Sequence, residues 1–221
     1  MPAGFAREGF AEYEGKTLKA WALFLTLFVW QSAAMAIEEA KFTVIERDGQ
    51  CELRQYESHI VAETIVTGGF ANAGNQAFSG LFRYISGNNQ SRQSIAMTGT
   101  VGQAAHAEKI AMTAPVGQER VGNGWSITFI LPAAFTLETL PEPTDATVKL
   151  RQVTGKRMAS ISYSGGWTRK LYDEHAQQLR AWIAKKELKI TGEEVWARYD
   201  PPFMPSFFRR NEVLIPVESN K

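Results

Sequence analysis

Between Cys51 and Thr67 (CELRQYESHIVAETIVT) the chain is rich in β-branched and aromatic residues and free of Gly and Pro, which predicts one long strand or two collinear ones. Gly68-Gly69 ends it. From Phe70 to Ser86 the apolar residues Ala71, Phe78, Leu81, Phe82 and Ile85 recur at helical spacing. Gly87-Asn88-Asn89 then supplies residues tolerant of the left-handed conformation that stops a helix. This helix has one apolar face and an unusually small, glycine-containing start. Two similar segments, Ile95–Val101 (IAMTGTV) and Ile110–Val116 (IAMTAPV), begin fifteen residues apart and read as the arms of a β-hairpin. Trp125–Leu131 (WSITFIL) is a further strand, ended by Pro132.

A Pro- and Thr-rich connector, Phe135–Thr147, leads to a second long strand region, Val148–Ser164, closed by Gly165-Gly166. The order of elements then repeats. Thr168 is the expected N-cap of a helix running to about Lys186, with Leu171, His175, Leu179, Trp182 and Ile183 on one stripe. Strands at Glu194–Tyr199 and Asn211–Val217 complete the pattern. Strand, Gly-Gly, helix, strand, strand thus occurs twice, over about residues 51–131 and 148–217. The fold class expected is α+β: duplicated βαββ units forming an antiparallel sheet or distorted barrel, flanked by two α-helices related by a pseudo-twofold axis.

Ahead of this domain lies the eleven-residue apolar run Ala20–Trp30, with Lys16 and Lys19 before it and Ala34-Met35-Ala36 after it. That is the tripartite pattern of a secretory signal cleaved after Ala36, too short to span a bilayer. Residues 1–36 are therefore expected to be a leader, or an anchor if uncleaved, and residues 37–221 the mature periplasmic or secreted domain. Three basic and three acidic side chains precede Ile37, so removing them leaves the formal charge at +1. A field so weak does not gather nucleic acid, and a membrane becomes a partner only if the leader is retained. A monomer is expected.

One cysteine, Cys51, and three histidines, His59, His106 and His175, cannot build a disulfide framework, a zinc cluster or a CxxCH haem attachment. GxSxG, HExxH, SxxK and P-loop patterns are absent. Cys51, opening a strand, reads as a buried structural thiol. His175 is the best placed histidine, a core residue first and a metal ligand or base second. Phe70, Phe78, Phe82, Tyr84, Met97 and Met112, with Phe203, Met204, Phe207, Phe208 and Arg209-Arg210, could line an apolar cleft with a cationic rim. Many of them could equally be core, and Glu212 is the candidate partner that would make Arg210 structural.

Four ordered segments resemble the SOUL haem-binding protein family. Tyr199–Val213 (YDPPFMPSFFRRNEV) resembles its C-terminal signature, and Lys109–Val116 (KIAMTAPV) its central Met-Thr-Ala-Pro-Val segment. Cys51–Tyr56 (CELRQY) is similar to its opening Tyr-Glu-x-Arg-x-Tyr strand, and Ser164-Gly165-Gly166 with Gln178-Leu179-Arg180 to its second helix region. The resemblance implies a duplicated βαββ barrel that binds haem b or a related porphyrin reversibly and without covalent attachment. It also implies a cleft beside the first helix, at Asn75, Phe78, Phe82 and Arg83, to which Met112, Phe207 and Arg209 are added as candidate ligand-binding residues. Some members carry a ligating His where this chain has Gln55. Binding by apolar shape and local cations follows. Burying one porphyrin face of about 200–300 Å² at ~25 cal/mol/Å² gives a gross ~5–8 kcal/mol before binding costs, consistent with micromolar affinity. An enzyme acting on a tetrapyrrole or apolar ester, with His175 as base, and a small-molecule sensing module are the alternatives.

Overall fold

The computed structural model describes residues 37–92 and 107–219. Its strands are β1 (Phe42–Asp48), β2 (Cys51–Tyr56), β3 (His59–Thr67), β4 (Asn89–Gln90), β5 (Val116–Val121), β6 (Gly124–Ile130), β7 (Glu142–Pro143), β8 (Lys149–Val153), β9 (Arg157–Ser164), β10 (Leu188–Ile190), β11 (Val195–Arg198) and β12 (Arg210–Ser219). Its helices are α1 (Phe70–Ile85) and α2 (Arg169–Lys185). The expected leader, residues 1–36, lies outside the described residues, as do Met97 and His106. No helix among the described residues is long and apolar enough to cross a membrane.

The main sheet is antiparallel, in the order β1-β2-β9-β12-β11-β5-β6-β3-β8, with β10 on β12. Exchanging β2 with β8, β3 with β9, β5 with β11 and β6 with β12 turns the order from β2 to β8 into its own reverse. The pseudo-twofold axis therefore passes between β5 and β11, and the duplication is written in the pairing itself. Each half also lends its first strand to the other: β2 pairs with β9, and β8 with β3. The long region 51–67 is thus two strands with different partners, broken at Glu57-Ser58, and 148–164 is broken at Thr154–Lys156. The sheet curls without closing into a barrel, with β1 and β8 at its edges.

Both helices pack on one face. Odd and even residues of a strand point to opposite sides. On β3 and β6, Ala62, Ile127 and Phe129 join Ala73, Ala77, Leu81 and Ile85 of α1 in one core. A second core gathers Ile161, Tyr163, Trp196, Val213 and Ile215 under Tyr172, Ala176, Leu179, Trp182 and Ile183 of α2. The stripe of α2 is thereby turned slightly from the expected one, with Leu171 and His175 half-buried at its edge. Thr168 caps this helix as expected, its hydroxyl accepting from the Leu171 amide at 3.2 Å. Phe70 reaches both cores, stacked on Trp196 at 4.6 Å and edge-on to Trp125 at 5.2 Å.

The expected hairpin is replaced by another. Ile95–Val101 lies outside the described residues, and Ile110–Pro115 is irregular, with a single bridge from Ala114 to Glu39. Pro115 has no amide to donate to a ladder. The strand starts only at Val116, and its hairpin partner is β6.

Candidate ligand-binding site

Four of the expected residues share the outward side of α1. Asn75 is exposed, Phe78 half-buried and Phe82 45% exposed. The Phe78 and Phe82 rings stack, 5.8 Å apart and inclined by 11°, and Phe78 meets Phe129 edge-on at 5.2 Å. Arg83 stands largely in water, 3.5 Å from Asp145. Residues 74, 78 and 82 lie four apart, and at 3.6 residues per turn such a row drifts by about 40° per step. It accordingly passes from buried Gly74 through half-buried Phe78 to exposed Phe82, a slope of apolar surface rising out of the core. Met112, 43% exposed, lies on the segment that leaves the C-terminal end of α1, where Ile110 donates its amide to the Ile85 carbonyl.

Phe207 and Arg209 sit elsewhere, on the loop between β11 and β12. Phe203, Phe207 and Phe208 are 85%, 68% and 67% exposed. Arg209 holds this loop by donating to the Met204 and Pro202 carbonyls, and its guanidinium lies 4.5 Å over Trp167. Among the described residues no ring contact, hydrogen bond or ion pair joins Phe207 or Arg209 to Phe78 or Phe82. Two residues absent from the sequence-based set stand between Arg209 and the first turns of α1: Trp167 and Arg198. The Arg198 guanidinium lies between Trp167 and Trp196, 5.4 and 4.6 Å from their rings, and donates to the Gln118 side chain at 2.8 Å. A Cβ on Gly74 would come within 2.8 Å of its Nη2, so the missing side chain of Gly74 is what admits the guanidinium beneath α1. Burial brings the Arg198 pKa down to about 10 despite the opposing pull of Tyr163. The one signal in the sequence was the glycine-containing start of the helix; a cation ending a short strand reads as solvated.

The signature segments do a different job. Arg54 donates twice to Glu212, at 2.8 and 3.1 Å, and to Glu52 at 2.6 Å, while Tyr199 and Ser162 donate to Glu212 at 2.7 and 2.8 Å. Arg210 joins Glu212 to Glu39, at 3.0 and 2.9 Å, so it is structural as expected. Asn211, of the opposite parity, points to the helix side and donates to the Gly165 carbonyl, whereas the Arg54–Glu212 network faces the other way. That network locks the concave face of the sheet. Beside them the concave face holds a cavity of about 170 Å³, lined by Val61, Ile130, Val195 and Leu214 with Glu119 and Arg151. Burial pushes the Glu119 carboxyl up, with Arg151 and Lys156 pulling the other way. His59 borders the cavity with Nδ1 3.0 Å from the Glu57 carbonyl. His175 Nδ1 lies 2.7 Å from the Leu171 carbonyl, and its ring stacks on Tyr163 at 3.9 Å. Gln55 is exposed and donates to the Tyr56 carbonyl. Cys51 is buried, which raises its thiol pKa. Among the described residues no group of three or more His, Cys, Asp or Glu is arranged to hold a metal ion.

This architecture, a duplicated βαββ half-barrel, is shared with solved structures of low sequence identity. The EcmrR C-terminal domain matches with a TM-score of 0.56 at 11% identity, over 77% of this chain and 98% of that one. An uncharacterized conserved protein from Listeria innocua matches at 0.50 and 12%, over 76% and 92%. The family model of the SOUL heme-binding protein matches residues 37–216, and the chain belongs to that family. A relative, "Heme-binding protein 1" of Xenopus tropicalis, is 28% identical over 170 residues, covering 76% of this chain and 84% of the relative.

Proposed function

We propose that the chain is a periplasmic or secreted carrier or buffer that binds haem b or a related porphyrin reversibly and without a covalent bond. Membership of the SOUL family supports the ligand class. The observation that carries the site is the stacked Phe78–Phe82 pair, left half open to water on α1 with Arg83 beside it. An exposed, flat aromatic surface of this kind offers a macrocycle stacking area that water would otherwise cover. Two buried donors without partners among the described residues, Arg198 Nε and Trp167 Nε1, fit a ligand that brings acceptors. The reading needs no axial ligand from Gln55 or His175.

Hemin titration of the full chain is expected to give a saturable, shifted Soret band. Phe82→Asp, which puts a charge on the stacking surface while leaving the core of α1 intact, is expected to weaken binding by about tenfold or more. A linear, non-saturating response in the unsubstituted protein overturns the reading. A second one, recognition of a smaller apolar effector, is favoured by the concave cavity and its half-buried Glu119.

A further inference from the structure

Arg198 is a half-buried cation with a fully buried Nε and no acidic partner. The ion pairs among the described residues involve Arg47, Arg54, Arg83, Arg92, Arg151, Arg169, Arg180 and Arg210, and Arg198 is in none of them. Its neighbours are one amide oxygen, on Gln118, two indole faces and the Tyr163 hydroxyl. Gln118 is itself held by the Phe70 carbonyl at 2.9 Å, so it cannot swing to follow the guanidinium. The Nε of Arg198 and the Nε1 of Trp167 are buried without any partner among the described residues. Desolvating such donors without satisfying them is unfavourable. Trp196 Nε1, the Tyr163 hydroxyl and Asn211 Oδ1 are buried and unpaired among the described residues as well, Asn211 standing opposite Arg198 and Tyr163 in the ladder. The three N–H groups outnumber these two oxygens, and an acceptor with more than one oxygen would meet the remainder.

The position of the deficit matters. Gly74, which admits the guanidinium, heads the row that continues to Phe78 and Phe82. At 1.5 Å per residue the row runs about 12 Å from Gly74 to Phe82, a span a macrocycle with short side arms can bridge. Arg198 therefore lies at the buried end of the aromatic slope, with Trp167 between it and Arg209 on the far side.

We propose that Arg198 is the carboxylate receptor of this site, pairing with one acid side arm of a tetrapyrrole that lies along Phe78 and Phe82, with the Trp167 indole N–H as a second donor. The inference rests on the tetrapyrrole reading and narrows it: the ligand class is a carboxylate-bearing macrocycle, and esterified or uncharged ones are discriminated against. A guanidinium held between indole rings and partly removed from water is suited to this, because charge-assisted and two-pronged hydrogen bonds to carboxylate are the strong ones.

The test compares protoporphyrin IX with its dimethyl ester, read by porphyrin fluorescence, on the full chain and on Arg198→Met and Phe82→Asp. The unsubstituted protein is expected to prefer the free acid by about tenfold. Arg198→Met should erase that preference by weakening the acid and leaving the ester unchanged, whereas Phe82→Asp should weaken both. Equal affinity for acid and ester in the unsubstituted protein overturns the proposal without recourse to any variant. So does an Arg198→Met protein that keeps the preference, or one that loses both ligands equally, which marks a purely structural role. If the unsubstituted protein binds neither porphyrin, the underlying tetrapyrrole reading fails.

Discussion

Arg54→Met is expected to destabilise the domain by about 3–5 kcal/mol, the usual cost of removing one partner from a buried ion pair. Methionine fills most of the arginine's volume, so the loss is electrostatic. The Glu212 carboxylate, 0% exposed, then keeps only Arg210, Tyr199 and Ser162. The same network sets an acid limit. Burial on its own would raise the Glu212 pKa, but the hydrogen bond and charge of Arg54, then the Tyr199 hydroxyl and Arg210, outweigh it and hold the value at about 2. Because the folded pKa is depressed, the stabilisation is fully present above the unfolded value of 4.5 and is lost as pH falls through about 2. Over that window the loss is about 3 kcal/mol in the unsubstituted protein, and it should be largely missing in Arg54→Met. Urea midpoints measured from pH 7 down to pH 2.5 check both statements. A change below about 1 kcal/mol at pH 7 would mean that Arg210 alone suffices for the buried carboxylate.

Gly155→Ala is expected to be nearly as costly, about 2–3 kcal/mol, although it adds only a methyl group. Gly155 lies in the break between β8 and β9, where it faces the corresponding break between β2 and β3. A Cβ there would stand 2.5 Å from the Tyr56 carbonyl oxygen and 3.1 Å from the Glu57 carbonyl carbon. Those are backbone atoms, and they are pinned: the Tyr56 amide donates to the Lys156 carbonyl at 2.9 Å, and the Gly155 amide to the Ser58 hydroxyl at 3.1 Å. The two halves exchange their first strands here, so the strain cannot relax by moving one loop. Thermal denaturation reads the effect, and a melting temperature within a degree or two of the parent would show that the crossing is looser than its hydrogen bonds imply.

Elements stabilised by local chemistry were legible from the sequence. Thr168 as a cap, Gly87 as a stop and the spacing of Leu81 and Ile85 mark both helices to within a residue, because capping and helical periodicity act over one or two turns. The duplication was also visible in element order. Strand partners were not: whether β2 pairs with β3 or with β9 depends on contacts a hundred residues apart, and nothing local to Cys51–Thr67 records it. Pro115 was the exception, a local residue that could have shown the Ile110–Val116 segment to be only partly strand. In the proposed site, Phe78, Phe82 and Arg83 come from helical spacing together with the family resemblance, and the structure places the three on one helix with the two rings stacked. Arg198 was not, since its burial is created by Trp167 and Gly74, neither of which is near it in sequence. The signature residues Arg54, Tyr199, Arg210 and Glu212 mark the fold's polar lock, whereas the proposed ligand surface uses residues outside that network.

The most direct measurement is a titration of the isotopically labelled protein with zinc protoporphyrin, following backbone amide resonances. The account predicts shifts concentrated on residues 74–83, on Trp167 and on Arg198, with the concave face silent. Shifts concentrated instead on Gly117, Glu119, Thr128, Val195 and Ala197 would place the ligand in the cavity on the opposite side of the sheet and contradict it.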